Sequence, residues 1–486
     1  MSRQFIEIDE EVTPQGGIKR RDFLKCAAVG AMGASMASLF GCSQAPGDAK
    51  AAEPEGAAPA AQVKAPATTG AVASGGRVDP LTSDALMQQV LEESEVAGDV
   101  VMSDGTVIPE IYVRMRNRIN RIGKGIGSHP AKESWDMIMY LFSEEDAEHY
   151  LEMLMHEFFT AANYSVLSGR SEDECAEILE DMADRCLIYR VRRAGLTYFL
   201  LLPHINGFWE FYELKLAYES GDPYNTQPGG PIAEFNQQGI MADANDYDLT
   251  FPLFRSYPIS LDVIEGDAFE PWQDWRALIK RNKTITVSPC QCRTMWNALE
   301  VDYPEDHPIR TCLSLGEMAE YFIENGIGDQ IAQDEAIAVV EDAIAHGMVP
   351  ESVCAQNADI ICCCHGDSCG NLKGYLAAGG GNCGTYFSAY TLKYDAEKCI
   401  GCGKCVDICP MHSVTIEDGK CVMDALCVRC GHCVEACPQS ARILTPTEGY
   451  PDLPNEYIDC NRYFAKDRMA RGLTEDFTDT KLQVEA

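Results

Sequence analysis

The sequence predicts an α+β multidomain chain, and three observations predict it. Two runs of four cysteines repeat one spacing near the C-terminal end: Cys399-x-x-Cys402-x-x-Cys405-x-x-x-Cys409-Pro410 and Cys427-x-x-Cys430-x-x-Cys433-x-x-x-Cys437-Pro438. Upstream, apolar residues at helical spacing give way to two strand-like stretches broken at Ala194-Gly195, the pattern of helices followed by a hairpin. Between these regions, cysteines punctuate short helical patterns in a mixed stretch. A length of 486 residues suits roughly two to four domains, and a hydrophobic content of 46% is ordinary for a globular protein. Lys and Arg total 39 against 75 Asp and Glu, a net charge of −36. That balance argues against nucleic acid or an anionic membrane surface as partner, since both need a basic footprint. It favours docking to a basic patch on another protein, or plain solubility. The 23 cysteines would suggest disulfides in an exported chain, but their clustering reads them mostly as ligands.

Lys19-Arg20-Arg21-Asp22-Phe23-Leu24-Lys25 precedes a mildly apolar, Ala- and Gly-rich run from Cys26 to Gly41. The run is too short and too weakly hydrophobic for a membrane-spanning helix. Residues 1–41 resemble a twin-arginine signal peptide built on Arg20 and Arg21, which implies export to the extracytoplasmic face of the cell membrane or the periplasm. That route is understood to carry folded proteins, so metal ligands assembled where thiols stay reduced would travel intact. Leu39-Phe40-Gly41-Cys42 resembles a lipobox, implying a lipid anchor on Cys42. Phe40 departs from the pattern, and Ser35-Met36-Ala37 offers an ordinary cleavage site instead. Residues 42–77, rich in Ala, Pro and Gly with no apolar period, read as a flexible tether.

Residues 78–220 read as a helical domain. Arg114, Arg116, Arg118, Arg121 and Lys124 form a dense basic run whose charges cover more than one helical face, so a solvated surface is expected, with a docking site for an acidic partner as the alternative. Ser143 with Asp146 three residues on marks a helix start, followed by Ala147, Leu151, Leu154, Met155 and Phe158. A second helix starts near Ser171, with Cys175, Ile178, Leu179, Met182 and Cys186 on one apolar face; the two cysteines are expected in the core. Residues 187–201 then form the hairpin. Helices followed by a two-stranded wing resemble a winged-helix domain. Export and net charge speak against a DNA-reading role, which leaves structure or partner binding.

Residues 221–385 form the cysteine-rich module. Cys290-Gln291-Cys292-Arg293, then Cys312, then Cys362-Cys363-Cys364-His365 and Cys369 are the candidate ligands. One helix covers roughly 317 to 325 and stops at Gly326; another runs from an Asp334 cap to Gly347. These helices are expected to fold the chain back and bring the cysteine groups together. Three consecutive cysteines cannot all aim at one metal, because neighbouring side chains diverge, so at most two of Cys362, Cys363 and Cys364 should be ligands. The order of these motifs resembles a family of bacterial iron–sulfur proteins that place a winged-helix region before such a module, over about residues 140–460. His365 departs from that pattern. The resemblance implies cluster binding more than a reaction. A third iron–sulfur cluster is the first reading, structural zinc the second, and a dithiol or disulfide site the third. Cys354, Cys383, Cys421 and Cys460 lack spacing partners and read as core or surface thiols, while His365 and His432, inside cysteine motifs, are expected to face solvent, with a hydrogen bond that tunes a cluster as the alternative.

In residues 386–445, two intervening residues let a tight turn aim successive sulfurs at neighbouring corners of a cube. Gly401, Gly403 and Gly431 free the turns, and Pro410 and Pro438 fix φ after the last ligand. Zinc sites usually take their ligands as two separated pairs, unlike these evenly spaced triplets with Cys-Pro. The segment resembles bacterial dicluster ferredoxins of the two-[4Fe-4S] kind, with a pseudo-two-fold ββ/αα fold. In that arrangement the fourth cysteine of each run crosses to the other cluster. The resemblance implies Cys399, Cys402, Cys405 and Cys437 on one cluster and Cys427, Cys430, Cys433 and Cys409 on the other. Residues 446–486, with Pro446, Pro451 and Pro454 before a polar acidic end, read as a C-terminal extension that wraps and then loses order.

The whole reads as an exported iron–sulfur electron-transfer protein serving a membrane or extracytoplasmic, respiratory-type reductase partner. One rival makes the middle cysteine site an oxidoreductase centre that reduces a substrate directly. A second rival is a cluster-sensing regulator.

Overall fold

Capping chemistry sets the helical half of the chain. After a short ladder of β1 (Val100–Val101) and β2 (Val107–Ile108) come α1 (Glu110–Ile119), α2 (Lys132–Leu141), α3 (Glu144–Glu152), α4 (Ala161–Ser168) and α5 (Glu172–Asp184). Ser143 Oγ accepts from the Asp146 N–H at 3.1 Å while the Asp146 carboxylate accepts from the Ser143 N–H at 2.9 Å, a reciprocal cap that starts α3. Thr160 and Asn163 do the same for α4, and Ser171 caps α5. Trp135, Phe142, Tyr150, Phe159 and Tyr164 fill the core between these helices, with Cys175 and Cys186 buried among them.

The computed structural model of the chain describes residues 98–102, 104–122, 132–222, 254–266, 271–377, 386–447 and 453–461. All belong to the compact unit Gln62–Ala486. The export residues Arg20 and Arg21, Cys42, the 42–77 tether, Lys124, Cys383 and everything after residue 461 lie outside the described residues. Among the described residues no helix is long and apolar enough to cross a membrane.

The basic run is not the solvated surface expected of it. Arg116 and Arg118 are buried. The Arg118 guanidinium donates to the Leu151 and Met153 carbonyls at the end of α3, where a helix leaves carbonyls without intrahelical partners. The charge therefore serves a helix terminus.

Strands β3 (Ile188–Arg193) and β4 (Leu196–Leu201) pair antiparallel with Arg193 opposite Leu196. Ala194 at φ 50° and Gly195 at φ 80° form the turn, whose left-handed residues match strand twist. The chain then passes a kinked segment (His204–Phe208), in which Ile205, Asn206 and Gly207 leave helical φ/ψ, into α6 (Trp209–Glu219).

The middle of the chain builds one sheet from β5 (Phe254–Ser256), β6 (Ile285–Ser288), β7 (Cys312–Leu315), β8 (Asp329–Gln330), β9 (Val349–Val353), β10 (Ile360–Cys364) and β11 (Tyr386–Phe387). Its order is β11-β5-β9-β10-β7-β6-β8, antiparallel except for β11 against β5. The sheet therefore continues past residue 385. Helices α7 (Trp275–Arg281), α8 (Gln291–Ala298), α9 (Glu317–Glu324), α10 (Gln333–Ala345) and α11 (Gly370–Ala377) lie along the same stretch. Ala332, not Asp334, is the N-cap of α10, and no side chain caps it. Asp334 instead sits in the first turn, where its charge complements the helix dipole.

The hairpin is tied down by ion pairs. Arg193 grips Glu317 of α9 with two 2.6 Å hydrogen bonds. Arg190 meets Glu180, Asp184 and Glu324, and Arg192 meets Glu180.

At the C-terminal end, β12 (Tyr390–Tyr394) pairs with β15 (Arg442–Pro446), and β13 (Val414–Glu417) with β14 (Lys420–Met423). One short helix lies within each cysteine run, α12 (Lys404–Asp407) and α13 (His432–Glu435), beside one hairpin (β13–β14) and one ladder that joins the first and last strands (β12–β15). The following segment returns to the middle module: the Pro454 and Asn455 carbonyls accept from the Gln356 and Asn357 N–H groups at 2.8 and 2.7 Å.

Candidate metal centres

Each C-terminal cysteine run turns into a four-residue helix, and glycine makes the turn fit. A Cβ on Gly401 would lie 2.4 Å from the Gly419 carbonyl oxygen, and one on Gly431 would lie 2.6 Å from Val263 Cγ2. Both residues also hold positive φ, so a side chain there is excluded twice over.

The turns gather the sulfurs into two hollows. Cys399, Cys402, Cys405 and Cys437 line one; Cys409, Cys427, Cys430 and Cys433 line the other. The fourth cysteine of each run thus lies with the other run's first three. Four thiols per hollow are the donor set of a cubane, and backbone N–H groups already aim at sulfur, Arg429 at Cys427 Sγ (3.4 Å) and Ala441 at Cys437 Sγ (3.3 Å).

The two hollows have unlike surroundings. Cys402 is exposed and its neighbour Ile400 is 62% exposed. A hydrogen bond from the Tyr394 hydroxyl draws the Cys399 thiol below its ordinary pKa. Cys430 and Cys433 are buried, and burial pushes their thiols up. The buried hollow packs against the middle module: the Cys430 carbonyl accepts from the Ile259 N–H at 2.8 Å. His432 does not face solvent as expected; it is buried, with Nε2 2.9 Å from the Met348 carbonyl. His365 is also largely covered, its ring 4.5 Å from that of His307.

The middle cysteines come together through strand register. Ser288 of β6 lies opposite Cys312 of β7, and Leu313 lies opposite Ile361 of β10. Cys290 follows β6, Cys312 begins β7 and Cys362 ends the same row. Cys292 sits in the first turn of α8, and Cys369 immediately precedes α11, so two helix N-termini meet here. The thiols of Cys290, Cys292, Cys369, Cys364, Cys362 and Cys312 form a continuous series, each within hydrogen-bonding reach of the next. Hydrogen bonds from Cys292 and Cys364 hold Cys369 down, and those from Cys312 and Cys364 hold Cys362 down, while their proton-sharing partners Cys312 and Cys364 are pushed up. Alternation along β10 separates Cys363 from Cys362 and Cys364; its thiol is raised by burial and joins none of these hydrogen bonds.

Two polar groups here escaped the sequence reading. Arg293 is fully buried, donates to the Cys363 carbonyl at 3.2 Å and to Thr311, and places its charge beside Cys290, Cys364, Cys363 and Cys292. It is visible in the Cys-x-Cys-Arg motif, but an arginine in sequence reads as surface. Glu351 of β9 lies opposite Cys362, and its carboxylate, Cys364 Sγ and Cys369 Sγ fall within 4.8 Å of one another. Only strand pairing reveals it.

Comparison with known proteins bears on the C-terminal region. The 4Fe-4S binding domain matches residues 392–415, and a second 4Fe-4S binding domain matches residues 425–445. The chain is 48% identical over 33 residues to Ferredoxin-2 of Desulfomicrobium norvegicum, covering 7% of this chain and 56% of that protein. It is 46% identical over 33 residues to Ferredoxin-3 of Desulfocurvibacter africanus and to Ferredoxin-1 of Nitratidesulfovibrio vulgaris, covering 54% and 53% of those proteins. The chain thus spans about half the length of the curated relatives it matches. No solved structure matches. The C-terminal region is therefore a pair of 4Fe-4S binding domains holding two [4Fe-4S] clusters, which supports an iron–sulfur electron-transfer role.

Proposed function

We propose that this chain is an exported electron-transfer protein whose two ferredoxin clusters exchange electrons with a third iron–sulfur centre on the middle cysteines, serving a respiratory-type reductase partner. One contact carries the reading. The Pro410 carbonyl accepts a hydrogen bond from the Gly366 N–H at 3.0 Å. Pro410 follows Cys409 of the buried ferredoxin site, and Gly366 lies between Cys364 and Cys369 of the middle site. His412 Nε2, 2.8 Å from Asp367 Oδ1, ties the same two loops together. The exposed hollow around Cys402 stands open to a partner, and the buried one backs onto the middle module. Clusters supply one-electron chemistry at potentials set by charge, hydrogen bonding and exposure; the chain supplies sulfur ligands and the packed path between them.

Six thiols in one continuous series exceed the four of a structural zinc site, and a buried Arg293 favours their ionised forms. Iron and sulfide assay of anaerobically purified chain should return about twelve of each, against about eight for the ferredoxin clusters alone. A value near eight removes the third cluster. Gly366→Ala tests the junction, because the new Cβ would lie 2.5 Å from the Pro410 carbonyl oxygen. Overpacking of this kind costs about 2 kcal/mol. The variant should keep its iron yet show weaker magnetic interaction between the reduced centres in EPR; an unchanged interaction speaks against the path.

The helix-and-hairpin order of residues 110–201 fits a winged-helix-like, partner-binding role. Use of this hairpin on DNA is disfavoured, since Arg190, Arg192 and Arg193 are held in internal ion pairs. Export rests on Arg20 and Arg21, with a lipid anchor on Cys42. Changing both arginines to lysine should trap the chain inside the cell. Unchanged export would rule out this route.

A further inference from the structure

The six sulfurs form one wall of a cavity of about 100 Å³, several times the roughly 10–15 Å³ that a single water needs. Most of the remaining lining is apolar, with Trp209, Phe211, Leu214, Met318 and Phe322 among it. Four polar atoms interrupt that lining: Asn206 Nδ2, Gln291 Oε1, Ser314 Oγ and Asp359 Oδ1. Each is buried without a hydrogen-bond partner. A buried polar atom left unpaired costs about 1–3 kcal/mol, and native folds keep few of them. Four around one cavity point to a ligand that satisfies them.

The orientation of Gln291 is fixed, because its Nε2 donates to the Glu213 carboxylate. Its Oε1 therefore needs a donor, and an iron–sulfur centre has no hydrogen to give. The Asn206 amide nitrogen, in turn, needs an acceptor. Ser314 serves either role.

The wall is also held in a costly shape. Asn206 sits at φ 52° in the kinked segment before α6, and the Glu210 carboxylate accepts the N–H groups of Asn206 and Gly207 at 2.9 and 3.0 Å. Burial pushes Glu210 up to about 8 against those two donors. Tyr457, from the C-terminal extension, donates to the Ile205 carbonyl at 3.0 Å. Left-handed non-glycine residues gather at functional sites. Among the described residues neither lysine nor arginine lines the cavity, so no cation in the lining offsets the cost of burying an anion there.

We propose that this chamber binds a small, uncharged, largely apolar molecule whose polar end both donates and accepts hydrogen bonds. Binding would seat it against the six sulfurs. That the ligand is the chain's electron acceptor rests on the reading of the middle site as a redox centre; the binding itself does not.

The test titrates the metal-loaded full chain with primary amides (acetamide, isobutyramide and benzamide) and with the matching carboxylates, following tryptophan fluorescence, since Trp209 lies in the wall. Saturable binding is expected for at least one amide, with its carboxylate at least tenfold weaker. Ser314→Val should weaken that amide about fivefold through one lost hydrogen bond. Leu214→Trp should abolish binding by filling the space, with iron content unchanged in both variants. The proposal is overturned if no amide binds, if a carboxylate binds as tightly as its amide, or if neither variant changes the affinity. Iron near eight per chain with amide binding intact leaves the chamber standing and removes the middle redox centre. Iron near twelve without amide binding does the reverse.

Discussion

Cys437→Ala is expected to empty the exposed ferredoxin site and spare the buried one, lowering iron and sulfide by about four each per chain. Sequence proximity alone would assign Cys437 to Cys427, Cys430 and Cys433, its own run. The fold puts it instead in the hollow with Cys399, Cys402 and Cys405. A double variant separates the two assignments. If Cys402 and Cys437 hold one cluster, Cys402→Ala added to Cys437→Ala removes no further iron, because residues acting as a unit are not additive. If they hold different clusters, the double variant loses about eight iron atoms in all, and the crossed arrangement falls. Exposure gives a second readout. The surviving EPR signal should come from the site beside Cys430, whose thiol is buried, and a water-soluble relaxation agent should broaden it weakly. Strong broadening would place the surviving cluster on the surface, against this assignment.

The ferredoxin half was legible because its ligands are local. Each run of three cysteines leads from an irregular segment straight into a short helix that carries the third, and glycines with positive φ stand where the chain bends. The middle site was only half legible. Its cysteines announce themselves, and strand alternation already limits Cys362–Cys364 to two residues on one face. What gathers them, however, is the register of β6, β7 and β10, a set of long-range pairings that no local pattern specifies. Glu351 enters the site through the same pairing and carries no local signal. Burial of charge was the other blind spot. Arg116, Arg118 and His432 looked solvent-facing because polar side chains usually are. Each is covered in the fold, and Arg118 and His432 reach backbone carbonyls of distant segments. The Asp334 cap failed for a smaller reason: acidic residues suit the cap and the first turn alike, so sequence left a two-residue ambiguity.

Arg190→Met carries the largest expected loss of stability outside the metal sites. The Arg190 side chain is 4% exposed, and its Nη1 lies 2.7 Å from Glu180 Oε2 and 2.6 Å from Asp184 Oδ1, with Nε 2.8 Å from Glu324 Oε2. Removing the cation leaves three carboxylates converging on an apolar side chain, and breaking a buried pair from one side costs about 3–5 kcal/mol. The partners keep contact with water, Asp184 most of all, so the loss should fall near the lower end, about 3 kcal/mol. Urea unfolding should show it as a shifted midpoint. Glu324→Gln in the same chain should recover part of the loss by relieving repulsion, whereas Glu324→Gln alone should destabilise. Glu324 belongs to α9, which follows β7 and its Cys312, so the same pair fastens the hairpin to the cysteine-bearing sheet. Visible absorbance from the clusters should therefore bleach at the same urea concentration as the far-ultraviolet signal in both proteins. A loss below about 0.5 kcal/mol, within the range of an ordinary surface substitution, would show that the hairpin is held by apolar packing and that its arginines are dispensable.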